Sequence, residues 1–264
     1  MTPGSAAKPQ GVDTAKAASQ VAVRLDRVTK SFGDRRVLDD VAFEVPAGCG
    51  FIVLGRSGTG KSVTLRHIVG LVRPDSGRVF VDGDEISALQ GPELSRVRKK
   101  MGFLFQNAAL FDSISVGENV AFPLRRHTKL GDREIRDRAK EKLNAVGLAH
   151  DYDKMPGKLS GGMRKRAGLA RALALDPQIL LVDEPSAGLD PITAGEIDDL
   201  LLGLKQEGGT TLVVVTHNIP SALRLGDQLL MLHEGRILAQ GTADELERND
   251  NEMVHAFMTS RHAG

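Results

Sequence analysis

Apolar residues along the chain fall into short blocks whose spacing switches repeatedly between that of strands and that of helices. Val21 to Val28 alternates apolar with polar positions, and Val37 to Val45 does so less regularly, as half-buried strands do. Phe51-Ile52-Val53-Leu54 is a continuous apolar run, followed from Thr64 to Val72 by a helical pattern that stops at Pro74-Asp75-Ser76-Gly77. That turn leads into Arg78 to Val81 and a second turn at Asp82-Gly83. The first third reads as a mixed sheet wrapped around one helix, with the first two strands antiparallel beside the Phe51 to Leu54 strand.

Leu94 to Lys100 reads as a short basic helix and Met101 to Phe105 as a strand. Val116 to Leu124 reads as an apolar helix or turn ended by Pro123 and Arg125-Arg126. From Asp132 to Val146, Ile135, Ala139, Leu143 and Val146 share one helical face among many charges, with Gly147 as a C-cap. A helix after Ser160 runs to Asp176-Pro177, where the strand Ile179 to Val182 begins. Thr193 to Gln206 is helical, Thr211 to Val215 a buried strand and Pro220 to Leu225 helical. Leu229 to Leu232 and Arg236 to Ala239 pair around Gly235. Strand and helix alternation implies an α/β fold with a parallel core sheet. Thr242-Ala243-Asp244-Glu245 is a capping box opening a C-terminal helical stretch.

Composition narrows the classes. The apolar fraction of 41% is ordinary for a globular chain of 264 residues, so a sizeable core is available. Lys and Arg total 35 against 34 Asp and Glu, which gives no electrostatic reason to expect nucleic acid as a partner. Cys49 is the single cysteine, which excludes an internal disulfide and a cysteine-rich metal site. No apolar run approaches the roughly 20 residues a bilayer span needs. Residues 1–20 are rich in Ala, Lys, Pro, Gly and Ser and read as a disordered leader without a secretory signal's apolar stretch.

The chemistry starts at Gly55-Arg56-Ser57-Gly58-Thr59-Gly60-Lys61-Ser62, set between an apolar strand and a helix. Glycines there let backbone N–H groups curl around the phosphates of a nucleoside triphosphate. Lys61 reaches the β and γ oxygens, and the Ser62 hydroxyl can hold Mg2+. Asp183-Glu184 ends a buried strand: Asp183 would hold the ion, and Glu184 would deprotonate the water attacking the γ-phosphorus. Ser160, Gly161 and Gly162 start a helix, where small residues and the helix dipole suit a second phosphate. The neighbouring Arg164-Lys165-Arg166 reads as a solvated helix face.

Taken in order and spacing, the phosphate loop, Gln106, Leu159 to Met163, Asp183-Glu184, Ala187 to Asp190 and His217 resemble the ATPase subunit of an ABC transporter. The resemblance covers about Val21 to about Gly241. It implies a P-loop NTPase of ABC type, with an antiparallel β subdomain and a helical subdomain at about 107–175 within a domain at 21–241, and a C-terminal extension at 242–264. It also makes Gln106 a residue that senses Mg2+ and the permease, Asp190 the D-loop residue and His217 the γ-phosphate switch. Phe32 matches the aromatic that stacks on adenine, and stacking tolerates Phe there. Met163 stands where that family usually has Gln, and Arg56 where Pro is common.

The stretch Phe105 to Ser113, continuing from Val116 to Arg125, is similar to the ATPase of Mla and Mce lipid transport systems. That likeness implies a homodimer closing head to tail on ATP at the cytoplasmic face of the inner membrane. An integral-membrane permease would dock near Ala108 to Phe111, and a Mce-type lipid-binding protein and a small regulatory subunit are further partners. Four other readings are weighed: an importer ATPase for another solute, a soluble ABC-type ATPase outside transport, a metabolite kinase, and a nucleotide-gated binding module without turnover, which Glu184 and His217 disfavour. The kinase leaves Leu159 to Met163 unexplained, and ATPase activity without a phosphorylated product separates it from the rest.

Overall fold

The computed structural model describes residues 20–259. The expected leader, apart from Gln20, and the last five residues of the C-terminal extension lie outside the described residues. Ten strands form two sheets among the described residues. An antiparallel sheet has the order β2-β1-β4-β5, made of β1 (Val21–Phe32), β2 (Arg35–Pro46), β4 (Ser76–Val81) and β5 (Asp84–Glu85). A six-stranded sheet has the order β10-β9-β3-β8-β7-β6, with β3 (Gly50–Leu54), β6 (Met101–Leu104), β7 (Ile179–Asp183), β8 (Thr211–Thr216), β9 (Gln228–His233) and β10 (Arg236–Gly241). Its strands run parallel except for the β9–β10 hairpin.

The sequence pattern places β1 and β2 beside β3 in one mixed sheet, whereas they pair with each other and β4 in a separate one. The reason is that both backbone edges of β3 are already taken, by β8 and β9. All five β3 residues are buried, so the β1–β2 ribbon can only cover a face of that strand. Side-chain alternation then feeds two cores. Phe51, Val53, Leu181, Val213 and Val215 face the core shared with β1, β2 and α1 (Lys61–Ile68). Ile52, Leu54, Leu180, Val182, Leu212 and Val214 face the core built with the helices of the chain's middle.

Those helices are α3 (Val116–His127), α4 (Asp132–Ala145) and α5 (Gly161–Ala172), all within 107–175, after the short basic α2 (Gly91–Arg98). α3 runs through Pro123 instead of ending there. Pro cannot donate to the Asn119 carbonyl one turn back, a cost of about 3 kcal/mol in an isolated helix. Here the turn is retained because Val116, Val120, Ala121 and Leu124 are all buried, and the Thr128 amide closes the end on the Leu124 carbonyl at 3.0 Å. α6 (Pro191–Gly208) and α7 (Ile219–Leu225) link β7, β8 and β9. The capping box at Thr242 and Glu245 starts α8 (Ala243–Glu247), and α9 (Glu252–Thr259) buries Val254 and Met258 in the helical-side core. No helix among the described residues is long and apolar enough to cross a membrane.

Candidate functional site: a phosphate loop facing two carboxylates

β3, β7 and β8 are adjacent and parallel, and their register sets Leu54 beside Thr216 and Asp183 beside Val215. Their carboxyl ends are therefore level, so whatever follows each strand meets at one edge of the sheet, the usual ligand edge of such sheets. After β3 comes the glycine loop. Gly60 has φ +104°, and a Cβ there would sit 2.7 Å from the Val37 carbonyl oxygen, so the close approach of β2 and the backbone angle both require glycine. The Thr59 hydroxyl donates to the Arg56 carbonyl at 2.9 Å and fixes the bend before α1. A cavity of about 250 Å³ opens beside it, lined by Arg35, Val37, Gly58, Gly60, Lys61 and Ser62. Arg35 donates to the Gly58 carbonyl at 3.0 Å, tying β2 to the loop.

Lys61 is buried at the first position of α1. Its ammonium donates to the carbonyls of Gly55 at 2.8 Å and Arg56 at 3.1 Å, and lies 3.4 Å from Glu184 Oε1. The next residue, Ser62, donates its hydroxyl to Asp183 Oδ1 at 2.8 Å. Burial pushes the Asp183 carboxyl above its ordinary range, opposed by the Ser62 hydrogen bond and reinforced by the neighbouring Glu184 charge. Ser62 and Asp183 together present hard oxygen donors, which suit Mg2+ better than a softer metal. Among the described residues, no group of three or more His, Cys, Asp or Glu side chains is placed to hold a metal ion.

Glu184 has φ +48°, a left-handed conformation unusual for a residue with a side chain. Its Oε2 accepts from the His217 amide at 3.3 Å and lies 2.9 Å from His217 Nδ1. Lys61, Ser62, Asp183, Glu184 and His217, each singled out in the sequence, thus form one connected group.

The remaining candidates lie elsewhere. Ser160 caps α5 by accepting the Met163 amide at 3.2 Å, and Asp190 caps α6 by accepting the Ile192 and Thr193 amides at 3.1 Å and 3.0 Å. These caps adjoin: a Cβ on Gly162 would drive into Thr193 Cγ2, and one on Gly161 would sit 3.5 Å from Leu189 Cδ2. Gly161 is exposed, and no hydrogen bond among the described residues joins this second cluster to Lys61 or Ser62. Gln106 is exposed beyond the end of β6, without a hydrogen bond to Ser62 or Asp183 among the described residues. Phe32 ends β1 with half its surface exposed and the Lys30 ammonium 5.5 Å from its ring centre. Arg56 and Ser57 are exposed on the loop rim, where Arg56 lines a cavity of about 230 Å³ against Met253 and Phe257 of α9.

Two cations matter that the sequence pattern does not reveal. Lys165, read as part of a solvated face, is buried and donates to the Glu184 carbonyl at 2.8 Å. Its signal is helical spacing: Gly162, Lys165 and Leu169 share the inward face of α5. Arg171, also on α5, donates to the carbonyls of Ala108 and Ala109, each at 2.7 Å. Both alanines are left-handed, at φ +58° and +50°, so the fork holds an otherwise disfavoured turn just after Gln106. That turn borders a groove of about 490 Å³ whose lining includes Phe105, Phe111, Phe122 and Pro123. The Phe111 and Phe122 rings meet 5.1 Å apart and are each nearly half exposed, while Ala108 is buried. Asn119 pins Phe111 by accepting its amide at 2.7 Å and donating to its carbonyl at 3.1 Å.

The sequence matches the ABC transporter family over residues 38–187. The "Probable ribonucleotide transport ATP-binding protein mkl" of Mycobacterium leprae (strain TN) is 45% identical over 244 residues, 92% of this chain and 70% of that protein. The "Intermembrane phospholipid transport system ATP-binding protein MlaF" of Escherichia coli (strain K12) is 42% identical over 226 residues, 86% of this chain and 84% of that protein. A solved dimer of the ATP-binding cassette MJ0796, in a post-hydrolysis state bound to ADP and Pi, superposes with a TM-score of 0.78 at 35% identity, covering 83% of this chain and 98% of that one.

Proposed function

The chain belongs to the ABC transporter family of ATPases, and from that premise we propose how its residues divide the work of hydrolysis and what the work drives. The observation that carries the proposal is the convergence of Lys61, Ser62, Asp183, Glu184 and His217 on the level ends of three parallel strands. Lys61 exchanges the loop carbonyls for the β and γ oxygens of ATP. Ser62 and Asp183 would hold Mg2+, which would supply positive charge against the phosphates. Glu184 removes a proton from the attacking water. His217 meets Glu184 through Nδ1 and presents Nε2 to the γ-phosphate, so one ring aligns base and substrate. Gln106 reports on the ion and the permease, and Phe32 stacks on adenine.

Two copies close head to tail. Ser160, Gly161, Gly162 and Asp190 form a cluster separate from the phosphate loop, with Gly161 exposed, which fits contact with ATP bound by the opposite copy. The dimeric cassette with ADP and Pi supports that pairing. Only the closed state makes both sets of γ-phosphate contacts, so hydrolysis removes the preference for it and the copies part. At the cytoplasmic face of the inner membrane, this opening moves a permease, with lipid as the cargo. The phospholipid reading is supported by MlaF, 84% of which this chain covers. A Mce-type lipid-binding protein and a small regulatory subunit complete the assembly. Copurification from native membranes tests the cargo: bound lipid and a lipid-binding envelope protein are expected, and a periplasmic amino-acid receptor would overturn the lipid reading.

The groove beside Phe111 and Phe122 is the docking place for the permease, since two adjacent exposed rings at its edge suit a short apolar helix. Phe111→Asp is expected to weaken copurification with the membrane subunit at least about tenfold, because a carboxylate would enter an apolar contact. ATP affinity should change by less than about twofold, since the partners of Phe111, Phe122 and Asn119, belong to α3 and not to the phosphate loop. A folded variant that loses ATP but keeps its membrane partner would reverse the assignment.

A further inference from the structure

The helix that begins at Ser160 reaches the hydrolytic group through one buried cation. Lys165 is 5% exposed, and its ammonium donates to the Glu184 backbone carbonyl at 2.8 Å. Burial pushes its ammonium below the ordinary lysine range, while the carboxylates of Asp183 and Glu184 draw it back up. Those two are the charged groups whose fields act on it. An unpaired ammonium is rarely kept at such a depth, so its contact is specific. What it holds is also unusual. Glu184 is a left-handed residue whose amide donates to the Val215 carbonyl at 2.9 Å, so β8 anchors the peptide before its Cα and Lys165 the peptide after it. Between these two anchors the side chain emerges toward Lys61 and His217.

Resting on the reading of Glu184 as the base, we propose that Lys165 is a positioning residue for it: the ammonium locks the left-handed Glu184 backbone and so aims the carboxylate. The lock has a mechanical consequence. Lys165 stands five residues after Ser160, about one and a half turns along α5, so displacement of the helix start is transmitted to the base as a rigid shift. Contact between α5 and a second copy's ATP is thereby coupled to the aim of Glu184 in its own chain. A wrongly aimed base lowers turnover without weakening nucleotide binding, because the hydrogen bond of Lys165 goes to the Glu184 carbonyl and not to the phosphate loop.

The experiment is a double-mutant cycle on the full chain, with Lys165→Met, Glu184→Gln and their combination assayed for phosphate release and ATP affinity. Lys165→Met is expected to lower kcat about 10 to 100-fold while the KM for ATP moves less than about threefold. In the Glu184→Gln background the same substitution should cost less than about threefold, because no base remains to be aimed. Lys165→Gln keeps an N–H donor and should recover part of the loss. A kcat within about threefold of the parent for Lys165→Met, or equal losses in both backgrounds, overturns the proposal. If Lys165→Met does not fold, Lys165→Ala, which also lacks a donor, takes its place in the two backgrounds: a fall confined to the Glu184 background supports the proposal, and equal falls or none overturn it. Full turnover by Glu184→Gln alone would instead reject the reading of Glu184 as the base, a separate result.

Discussion

Glu184→Gln is expected to bind ATP as well as the parent and to hydrolyse it about 10² to 10⁴-fold more slowly, the range for loss of a positioned general base. The substitution is nearly isosteric, and the amide can still accept from the His217 backbone N–H that Glu184 Oε2 contacts at 3.3 Å. Lys61 keeps its carbonyl partners at Gly55 and Arg56, so removing the carboxylate strands no buried ammonium. The Glu184 charge is also one of the groups that raise Asp183, so its loss makes Asp183 easier to ionise. Binding and chemistry should therefore separate cleanly. Phosphate release under saturating ATP, beside equilibrium nucleotide titration, checks both halves, and turnover near the parent's would assign the base elsewhere.

Lys61→Ala should do the reverse and remove binding. The side chain is 5% exposed and supplies the one ammonium that contacts the carbonyls of both Gly55 and Arg56. Charge-assisted hydrogen bonds contribute roughly 1.5 to 3 kcal/mol each, so loss of the phosphate contact should raise the ATP Kd about 10²-fold. The alanine also leaves Glu184 with His217 alone as a side-chain partner, so thermal unfolding must be followed in parallel. Arginine is not a conservative substitute, because a planar fork does not fit where a compact ammonium meets two loop carbonyls and a carboxylate. An unchanged ATP affinity in a folded Lys61→Ala chain would remove Lys61 from the phosphate contact.

What the sequence discloses follows from locality. The glycine loop between an apolar strand and a helix is continuous in the chain, as is Asp183-Glu184 at the end of Ile179 to Val182, so spacing alone locates them. Parallel register then does the rest, since β3, β7 and β8 end level and their following residues must meet. Features set by packing are not legible in this way. The division of the strands into two sheets depends on both edges of β3 being occupied, which no local pattern encodes. Pro123 looks like a helix stop because the burial that carries α3 past it comes from other helices. Lys165 sits in a run of three cations that reads as solvated. Its neighbours are partnered quite differently, Arg164 with the Leu159 carbonyl and Arg166 with Glu196 and the Val146 carbonyl, while Lys165 alone turns inward. The left-handed turns at Ala108, Ala109 and Glu184 are likewise invisible, because none falls on glycine.

No hydrogen bond among the described residues joins the cluster at Ser160 and Asp190 to Lys61 or Ser62, and in the proposed pairing a second copy completes each reaction centre. Solution mass of the full-length Glu184→Gln variant, measured by light scattering with and without ATP and Mg2+, tests this most directly. A monomer without nucleotide that doubles its mass when ATP is added is the expected result. A chain that binds ATP yet stays monomeric, even in the presence of its membrane partner, would contradict it.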